Sequence, residues 1–149
     1  MPKITITENP ALLDVEVLIQ CPKRTSEVDS IVRQIELYNQ TIIVIKDDQK
    51  LILPAIKIDY FESVDDKTFC YTAKAVYETP YRLYEIEQAL EKYRFARVNK
   101  STIVNLIKIK SFKSTINGRM EALLLSDEKI EISRNYVASI KAMLGGIKR

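Results

Sequence analysis

The feature that most constrains the fold of this chain is a succession of short β-forming runs separated by turn residues. Candidate strands lie at residues 3–7, 14–20, 41–46, 51–53, 56–62, 69–77, 95–98, 107–115, 120–125 and 129–132. Asn117-Gly118 adds a hairpin signal, because both residues tolerate the positive φ of a tight turn. Long helices do not alternate with these runs, as they would around a parallel sheet. We therefore predict a mainly β fold of small antiparallel sheets with short helices.

Three segments have helical periodicity instead. The first begins at residue 26 and places on one face Val28, Ile31, Val32, Ile35 and Tyr38. The second covers residues 83–92. The third begins after Ser133, a favoured N-cap residue, and ends at Gly145-Gly146; its inward-facing residues are Val137, Ile140 and Leu144.

These patterns divide the chain into two parts. Residues 1–46 read as an N-terminal strand-helix-strand extension, and residues 47–149 as a second, mainly β domain. The apolar stripe of the first helix must be buried somewhere, because a short helix gains most of its stability from packing. The extension is therefore expected either to pack on the β domain or to mediate dimerisation.

Charge is distributed unevenly between the two halves of the chain. Residues 1–91 contain 10 Lys and Arg against 16 Asp and Glu, a balance of −6. Residues 92–149 contain 13 Lys and Arg against 4 Asp and Glu, a balance of +9. A basic half beside an acidic half points to a polyanionic partner, most often nucleic acid.

The composition excludes the commonest catalytic sites. The chain has no histidine, which removes Ser-His-Asp and Cys-His nucleophile systems and His-ligated zinc. Its three glycines form no phosphate-binding loop, and neither Cys21 nor Cys70 has a partner at metal-ligand spacing. We predict that the protein is not an enzyme and needs no cofactor or metal.

The sequence also indicates where in the cell the protein works. The longest apolar run covers only residues 42–45, and the first residues lack the apolar core of a signal peptide. Two cysteines without an export signal are typical of a reducing compartment. We therefore expect a cytoplasmic protein without membrane insertion.

Cationic and amide side chains cluster at two predicted strand ends in the basic half. Residues 95–106 contain a polar tip, and residues 131–136 end a strand and open a helix. Arg, Lys and Asn suit contacts with base edges and phosphates, and a helix N-terminus offers backbone donors to phosphate.

The residues at these two places resemble a known family. The pattern is Phe95-x-Arg97-Val98-x-x-Ser101-x-x-Val104-Asn105-Leu106, followed by Ile132-Ser133-Arg134. Residues 56–63 and the helix at 83–90 fit the same template in the same order. Over residues 50–144 the chain is similar to the LytTR DNA-binding domain of bacterial transcription regulators. The resemblance implies a mostly β fold whose loops, at one end of the sheets, enter successive major grooves of duplex DNA.

Carried over position by position, the resemblance implies three DNA-contacting loops. Their candidate residues are Lys67 and Thr68 in the loop at 65–68, then Asn99, Lys100 and Ser101, and finally Arg134 after Ser133. Family members commonly have His-Arg at the positions of Asn99-Lys100. Asparagine pairs bidentately with adenine, whereas lysine offers guanine or phosphate a point charge.

The resemblance also bears on partners and regulation. Many relatives carry a phosphoacceptor receiver domain upstream, for which residues 1–49 are too few. The expected arrangement is a small stand-alone regulator that binds repeated DNA sites as a homodimer and responds to a regulatory protein partner or to its own abundance.

Two other classes of function stay open on the sequence. An RNA-binding β-protein would use aromatic side chains on a sheet face, for which Phe69, Tyr71 and Tyr77 are candidates. A protein-interaction module would use the acidic N-terminal part. Salt-dependent binding to duplex DNA, rather than to single strands, separates the first class from both.

Overall fold

The computed structural model describes residues 1–145 and forms two antiparallel sheets. Its strands are β1 (Thr41–Lys46), β2 (Gln49–Pro54), β3 (Ile58–Val64), β4 (Lys67–Thr72), β5 (Val76–Thr79), β6 (Phe95–Asn99), β7 (Thr102–Asn105), β8 (Ile109–Ser114), β9 (Met120–Leu124) and β10 (Lys129–Ile132). The larger sheet has the order β2-β1-β5-β4-β3-β7-β6, and the smaller has the order β10-β9-β8. The predicted mainly β fold is confirmed.

The α-helices are α1 (Ser26–Leu37), α2 (Leu83–Leu90) and α3 (Arg134–Leu144). None of them, and so no helix within residues 1–145, is long and apolar enough to cross a membrane.

The large sheet separates two hydrophobic cores. Along β3, Phe61 belongs to the core that α2 completes, while its neighbour Tyr60 belongs to the core beneath the small sheet and α3. Phe95 and Ala96 divide between the cores in the same way. Because alternate side chains of a strand point to opposite faces, strands covered on both faces are apolar throughout.

Tight turns shape the hairpins. The β3–β4 connection is the two-residue turn Asp65-Asp66, with φ of 51° and 63°, and the β1–β2 turn has the same φ values. Positive φ at both central residues matches the twist of a hairpin. Only half of the loop predicted at residues 65–68 is therefore turn, since both Lys67 and Thr68 belong to β4.

The strand predicted at residues 69–77 is two strands, β4 and β5. The Thr72 hydroxyl donates to the carbonyl of Ala75 and accepts from its amide, which closes a turn between them. Tyr77 is consequently paired with Cys70 and packs against the α2 core, on the face opposite Phe69 and Tyr71. The prediction that these three aromatic side chains lie on one face of the sheet was therefore wrong.

The second cysteine lies inside the α2 core. Cys70 is fully buried, and burial raises the pKa of its thiol to about 12. The thiol is therefore protonated at neutral pH and unreactive as a nucleophile.

The N-terminal region differs from its prediction at the first strand. Thr25 caps α1 by accepting from the amide of Val28, Leu37 is buried in the α2 core, and β1 pairs with β2 along its whole length. β1 is thus a strand of the large sheet, and the end of α1 packs in the α2 core. The strands predicted at 3–7 and 14–20 are absent, because neither segment has a neighbouring strand with which to exchange hydrogen bonds.

The last helix begins as predicted. Ser133 occupies the N-cap position of α3, and Ile140 is fully buried with Val137 and Leu144 packed beside it. The Ser133 hydroxyl makes no capping bond within residues 1–145; its backbone amide instead donates to the carbonyl of Val98. Gly145 follows the helix with φ of 80°, and Gly146 lies outside the described residues.

Asp59 makes the stability of the fold depend on pH. The residue is buried, and burial raises the pKa of its carboxyl above 3.8, with Lys108 opposing the shift and Glu128 adding to it. Because the folded chain holds this proton more tightly than the unfolded chain, the stabilisation is complete below the unfolded pKa and is lost as pH rises through the folded pKa.

Asp59→Asn removes this titration. As pH is raised from about 4 to about 7, the variant is therefore expected to gain stability relative to the parent chain, because only the parent must ionise a buried carboxyl. Urea unfolding of both proteins at the two pH values measures the gain. A stability difference that does not change with pH would contradict it.

Candidate nucleic-acid interface

Three connections meet at one end of the large sheet. The amide of Ser63, near the end of β3, donates to the carbonyl of Ser101 in the β6–β7 turn at 2.8 Å. The amide of Ser133 donates to the carbonyl of Val98 at 2.9 Å, which attaches the start of α3 to the end of β6. The β3–β4 turn, the β6–β7 turn and the N-terminus of α3 are therefore neighbours.

Two of these connections, with the β8–β9 turn, enclose an open cleft of about 680 Å³. Its lining residues are Asn99, Lys100, Ser101, Asn117, Arg119, Glu131, Ser133, Arg134, Asn135 and Tyr136. Four of the predicted contact residues, Asn99, Lys100, Ser101 and Arg134, are thus brought together. Three cations and one carboxylate line the cleft, which makes it an electropositive surface.

Asn99 connects the two sides of this cleft. Its Nδ2 donates to the carbonyl of Glu131 at 3.0 Å, and its Oδ1 accepts from the amide and the hydroxyl of Ser101 at 2.9 and 3.1 Å. An adenine contact through this amide would require these bonds to break. The geometry therefore gives Asn99 a positioning role, since it fixes the β6–β7 turn relative to the end of β10.

Lys100 stands at the tip of the β6–β7 turn with an exposed side chain. The turn beneath it is held by Arg97, whose Nη1 donates to the carbonyl of Lys100 at 2.9 Å. Arg97 Nε lies 3.4 Å from Glu87 Oε1 on α2, an ion pair without hydrogen-bond geometry. The backbone of the tip is thus fixed, while the ammonium group is free to meet an anion.

Arg134 is the first residue of α3 and is exposed. Its aliphatic stem lies against Gly118 of the β8–β9 turn: a Cβ at Gly118 would come within 3.0 Å of Arg134 Cδ. Gly118 has φ of 75°, a conformation that glycine adopts without strain. The turn therefore supports the stem of Arg134 and leaves the guanidinium group at the surface.

Lys67 and Thr68 do not line the cleft. Lys67 is exposed beside the β3–β4 turn, 3.9 Å from the carboxylate of Glu78, a surface pair that contributes little stability. Thr68 is 5% exposed and pairs with both Ser63 and Thr79 inside the sheet. Thr68 therefore offers little side-chain surface at this end of the sheet, unlike the exposed loop residue that was predicted.

The β8–β9 turn is the part of the cleft that sequence reasoning missed. Asn117 and Arg119 of this turn line the cleft, and Arg119 Nη1 lies 3.2 Å from Glu131 Oε1. The Asn117-Gly118 pair signalled a hairpin, but no local pattern indicates that this hairpin would stand beside α3. The β8–β9 pairing itself is as predicted, with Ser114 opposite Met120.

Fold and cleft together define a class of protein: a β-protein that presents cationic loops from one end of its sheets to a nucleic acid. The chain belongs to the LytTR family, because the LytTr DNA-binding domain family matches residues 48–145. This confirms the resemblance found in the sequence. The family comprises DNA-binding domains of transcription regulators, and a DNA-binding regulator is the function it supports.

A solved structure and several relatives agree with this assignment. The LytTr DNA-binding domain of a Bacillus cereus protein, described as a methyl-accepting/DNA response regulator, superposes with a TM-score of 0.67 at 25% identity, covering 71% of this chain and 97% of that one. The chain is 29% identical to the sensory transduction protein LytT of Enterococcus faecalis over 69% of its length, and to the transcriptional regulatory protein YpdB of Escherichia coli K12 over 71%.

These matches cover different shares of the relatives. The chain spans only 43% of LytT and 44% of YpdB. It spans 99% of SAS2254 of Staphylococcus aureus, named an uncharacterized HTH-type transcriptional regulator, with 26% identity over 146 residues. In the described part of this chain, strands separate α1, α2 and α3.

Proposed function

We propose that the protein is a sequence-specific transcription regulator that binds duplex DNA by inserting its sheet-end loops into successive major grooves. The observation that carries the proposal is that two exposed cations, Lys100 and Arg134, line the same electropositive cleft. Asn99 holds together the two backbone segments that form this cleft. Such a regulator would work in the cytoplasm, where bacterial DNA lies.

Each side chain has a separate task in this proposal. Arg134 carries a planar fork of donors that suits guanine O6 and N7, so it reads a base. Lys100 offers a point charge to phosphate, and Lys67 offers another from the neighbouring β3–β4 turn. Ser101 is partly exposed beside Lys100, and its hydroxyl would donate to phosphate only after releasing its bond to Asn99 Oδ1. Asn99 positions the turn that carries Lys100.

The RNA-binding alternative has less support. Tyr71 stacks on Tyr60 with ring centroids 4.2 Å apart, and its hydroxyl donates to the carboxylate of Glu62. A ring already stacked on a core tyrosine offers only one face to a base, and Tyr77 is on the opposite side of the sheet. The protein-interaction alternative leaves the cationic cleft without a role.

We also propose that two copies act together on DNA. Tandem sites one helical turn apart, about 10 base pairs, would bring two copies to the same face of the duplex. Recovery of bound fragments from genomic DNA would give the operator and its spacing.

Affinity for duplex DNA is expected to fall steeply as salt concentration rises. Lys and Arg contacts release counterions condensed on the duplex, so a plot of log affinity against log salt should fall with a slope of about −0.9 for each phosphate contacted. Titrating one recovered duplex at four salt concentrations measures the slope. Single-stranded DNA and duplex RNA of the same sequence are the controls; a flat plot, or tighter binding to either control, would contradict the proposal.

A further inference from the structure

The N-terminal segment 14–20 is β-forming chain without a strand partner. It reads Asp-Val-Glu-Val-Leu-Ile-Gln, and no residue of it is in a strand. Val15, Val17 and Leu18 are 84%, 60% and 80% exposed. Apolar side chains at such exposure indicate a surface that another element covers.

The large sheet has a matching open edge. Within residues 1–145, β2 pairs only with β1, so its outer backbone groups have no strand partner. Ile52 of this strand is 74% exposed and Leu51 is 39% exposed. An edge strand with apolar side chains is a template for a further strand.

The alternation of side chains along a strand makes residues 14–20 complementary to the open edge of β2. Opposite residues of two paired strands share a face, so an antiparallel alignment that places Val17 beside Leu51 puts every odd-numbered residue of both strands on the core-side face. Val15, Val17 and Ile19 then extend the apolar row of Leu51 and Leu53. Asp14 and Glu16 fall on the other face, together with Leu18, Lys50 and Ile52. There Glu16 lies opposite Ile52 and diagonal to Lys50, a distance that these two long side chains can span.

We propose that residues 14–20 of one chain add a strand to β2 of a second copy, and that the exchange is reciprocal. A second copy is the occupant because, within residues 1–145 of one chain, the segment and the edge are both present and yet neither has a strand partner. The inference rests on the proposed action of two copies on DNA and names the surface that joins them. A one-residue slip of register would reverse both matches, so the pairing is specific.

Val17→Pro in the full-length chain tests the strand. Proline lacks the amide that a strand ladder needs, whereas Glu8→Pro puts the same residue in the exposed region outside the segment. Sedimentation without DNA should show that Val17→Pro weakens self-association at least tenfold and that Glu8→Pro leaves it unchanged. Both variants should keep the parent affinity for a duplex with one site, a measurement that fails separately if the proposed DNA binding is wrong.

Charge exchange tests the register and the partner. Glu16→Lys and Lys50→Glu should each weaken association, because like charges then occupy diagonal positions of the paired strands, and the double variant should recover it. A monomeric parent chain would overturn the proposal, even if hydrogen exchange protects residues 14–20 within that monomer. Unchanged association of Val17→Pro, or a double variant no better than the single ones, would overturn it as well.

Discussion

Arg134→Ala is expected to lower the ratio of specific to nonspecific DNA affinity by roughly tenfold to a hundredfold. The loss of a bidentate arginine–guanine pair costs about 1–3 kcal/mol, and this cost is concentrated on the cognate site. The variant keeps its nonspecific affinity largely intact, because phosphate contacts elsewhere on the surface persist. Binding to a cognate and a scrambled duplex at fixed salt gives the ratio.

Lys100→Ala is the matched contrast, because it removes one cation from the same cleft. If Lys100 holds phosphate, its loss weakens cognate and scrambled binding about equally and makes the salt slope shallower by about one contact. Arg33→Ala, on the exposed side of α1, controls for the loss of a positive charge outside the cleft. It should leave both affinities unchanged.

A structural role for Arg134 predicts a different outcome. Its stem packs against Gly118, so truncation removes a contact between α3 and the β8–β9 turn. If that contact were its only function, Arg134→Ala would melt earlier than the parent chain and still discriminate between the duplexes. Thermal unfolding measured beside the binding assays distinguishes a loss of stability from a loss of base recognition. If the variant still discriminates fully between the two duplexes, Arg134 does not read a base.

Asn99→Ala is expected to weaken cognate and scrambled binding together, by about tenfold to a hundredfold. The substitution removes three hydrogen bonds, to the Glu131 carbonyl and to the amide and hydroxyl of Ser101. A net contribution of about 0.5–1.5 kcal/mol for each bond makes a loss of this size reasonable when the freed turn must be ordered again on DNA. Fluorescence anisotropy with both duplexes measures the two affinities.

Two comparisons identify Asn99 as a positioning residue. Asn39→Ala, at the exposed end of α1, removes an asparagine side chain far along the chain from the cleft and should bind as the parent does. Binding of Asn99→Ala to duplexes changed at one base pair at a time should give the same sequence preference as the parent protein. A preference lost only where adenine is replaced would instead mean that Asn99 reads that base.

Local patterns in the chain were enough to predict most elements of the fold. The β8–β9 hairpin, the start of α3 at Ser133 and the existence of α1 follow from turn chemistry, capping and periodicity, which act over a few residues. The predicted face of α1 was partly wrong, because its buried residue is Leu37 and Tyr38 is exposed. The Asp65-Asp66 turn was misjudged, because two aspartates with positive φ form a turn as tight as Asn-Gly does. Lys67 and Thr68 were therefore placed in a loop instead of at the start of β4.

The face of the sheet on which a side chain lies, and its burial, were less predictable than the positions of the strands in the sequence. A single turn at residues 73–75 reversed the chain and put Tyr77 on the opposite face from Tyr71. Thr68 became a buried residue because it shares a face of β4 with Cys70, the face that packs in the α2 core. The segment at 14–20 has the composition of a strand, but a strand exists only where a second one supplies its hydrogen bonds.

The sequence by itself determined the family, the mainly β class, the basic half and the identity of the exposed cations Lys100 and Arg134. Only the tertiary structure decided which residues hold and surround these cations, because each contact depends on strands far apart in the chain. Asn99 meets Glu131 across 32 positions, and Gly118 meets Arg134 only because β8, β9 and β10 pair in register and return the chain to α3. Hydrogen-bond register between distant strands is set by the packing of both hydrophobic cores at once, so no window of neighbouring residues contains that information.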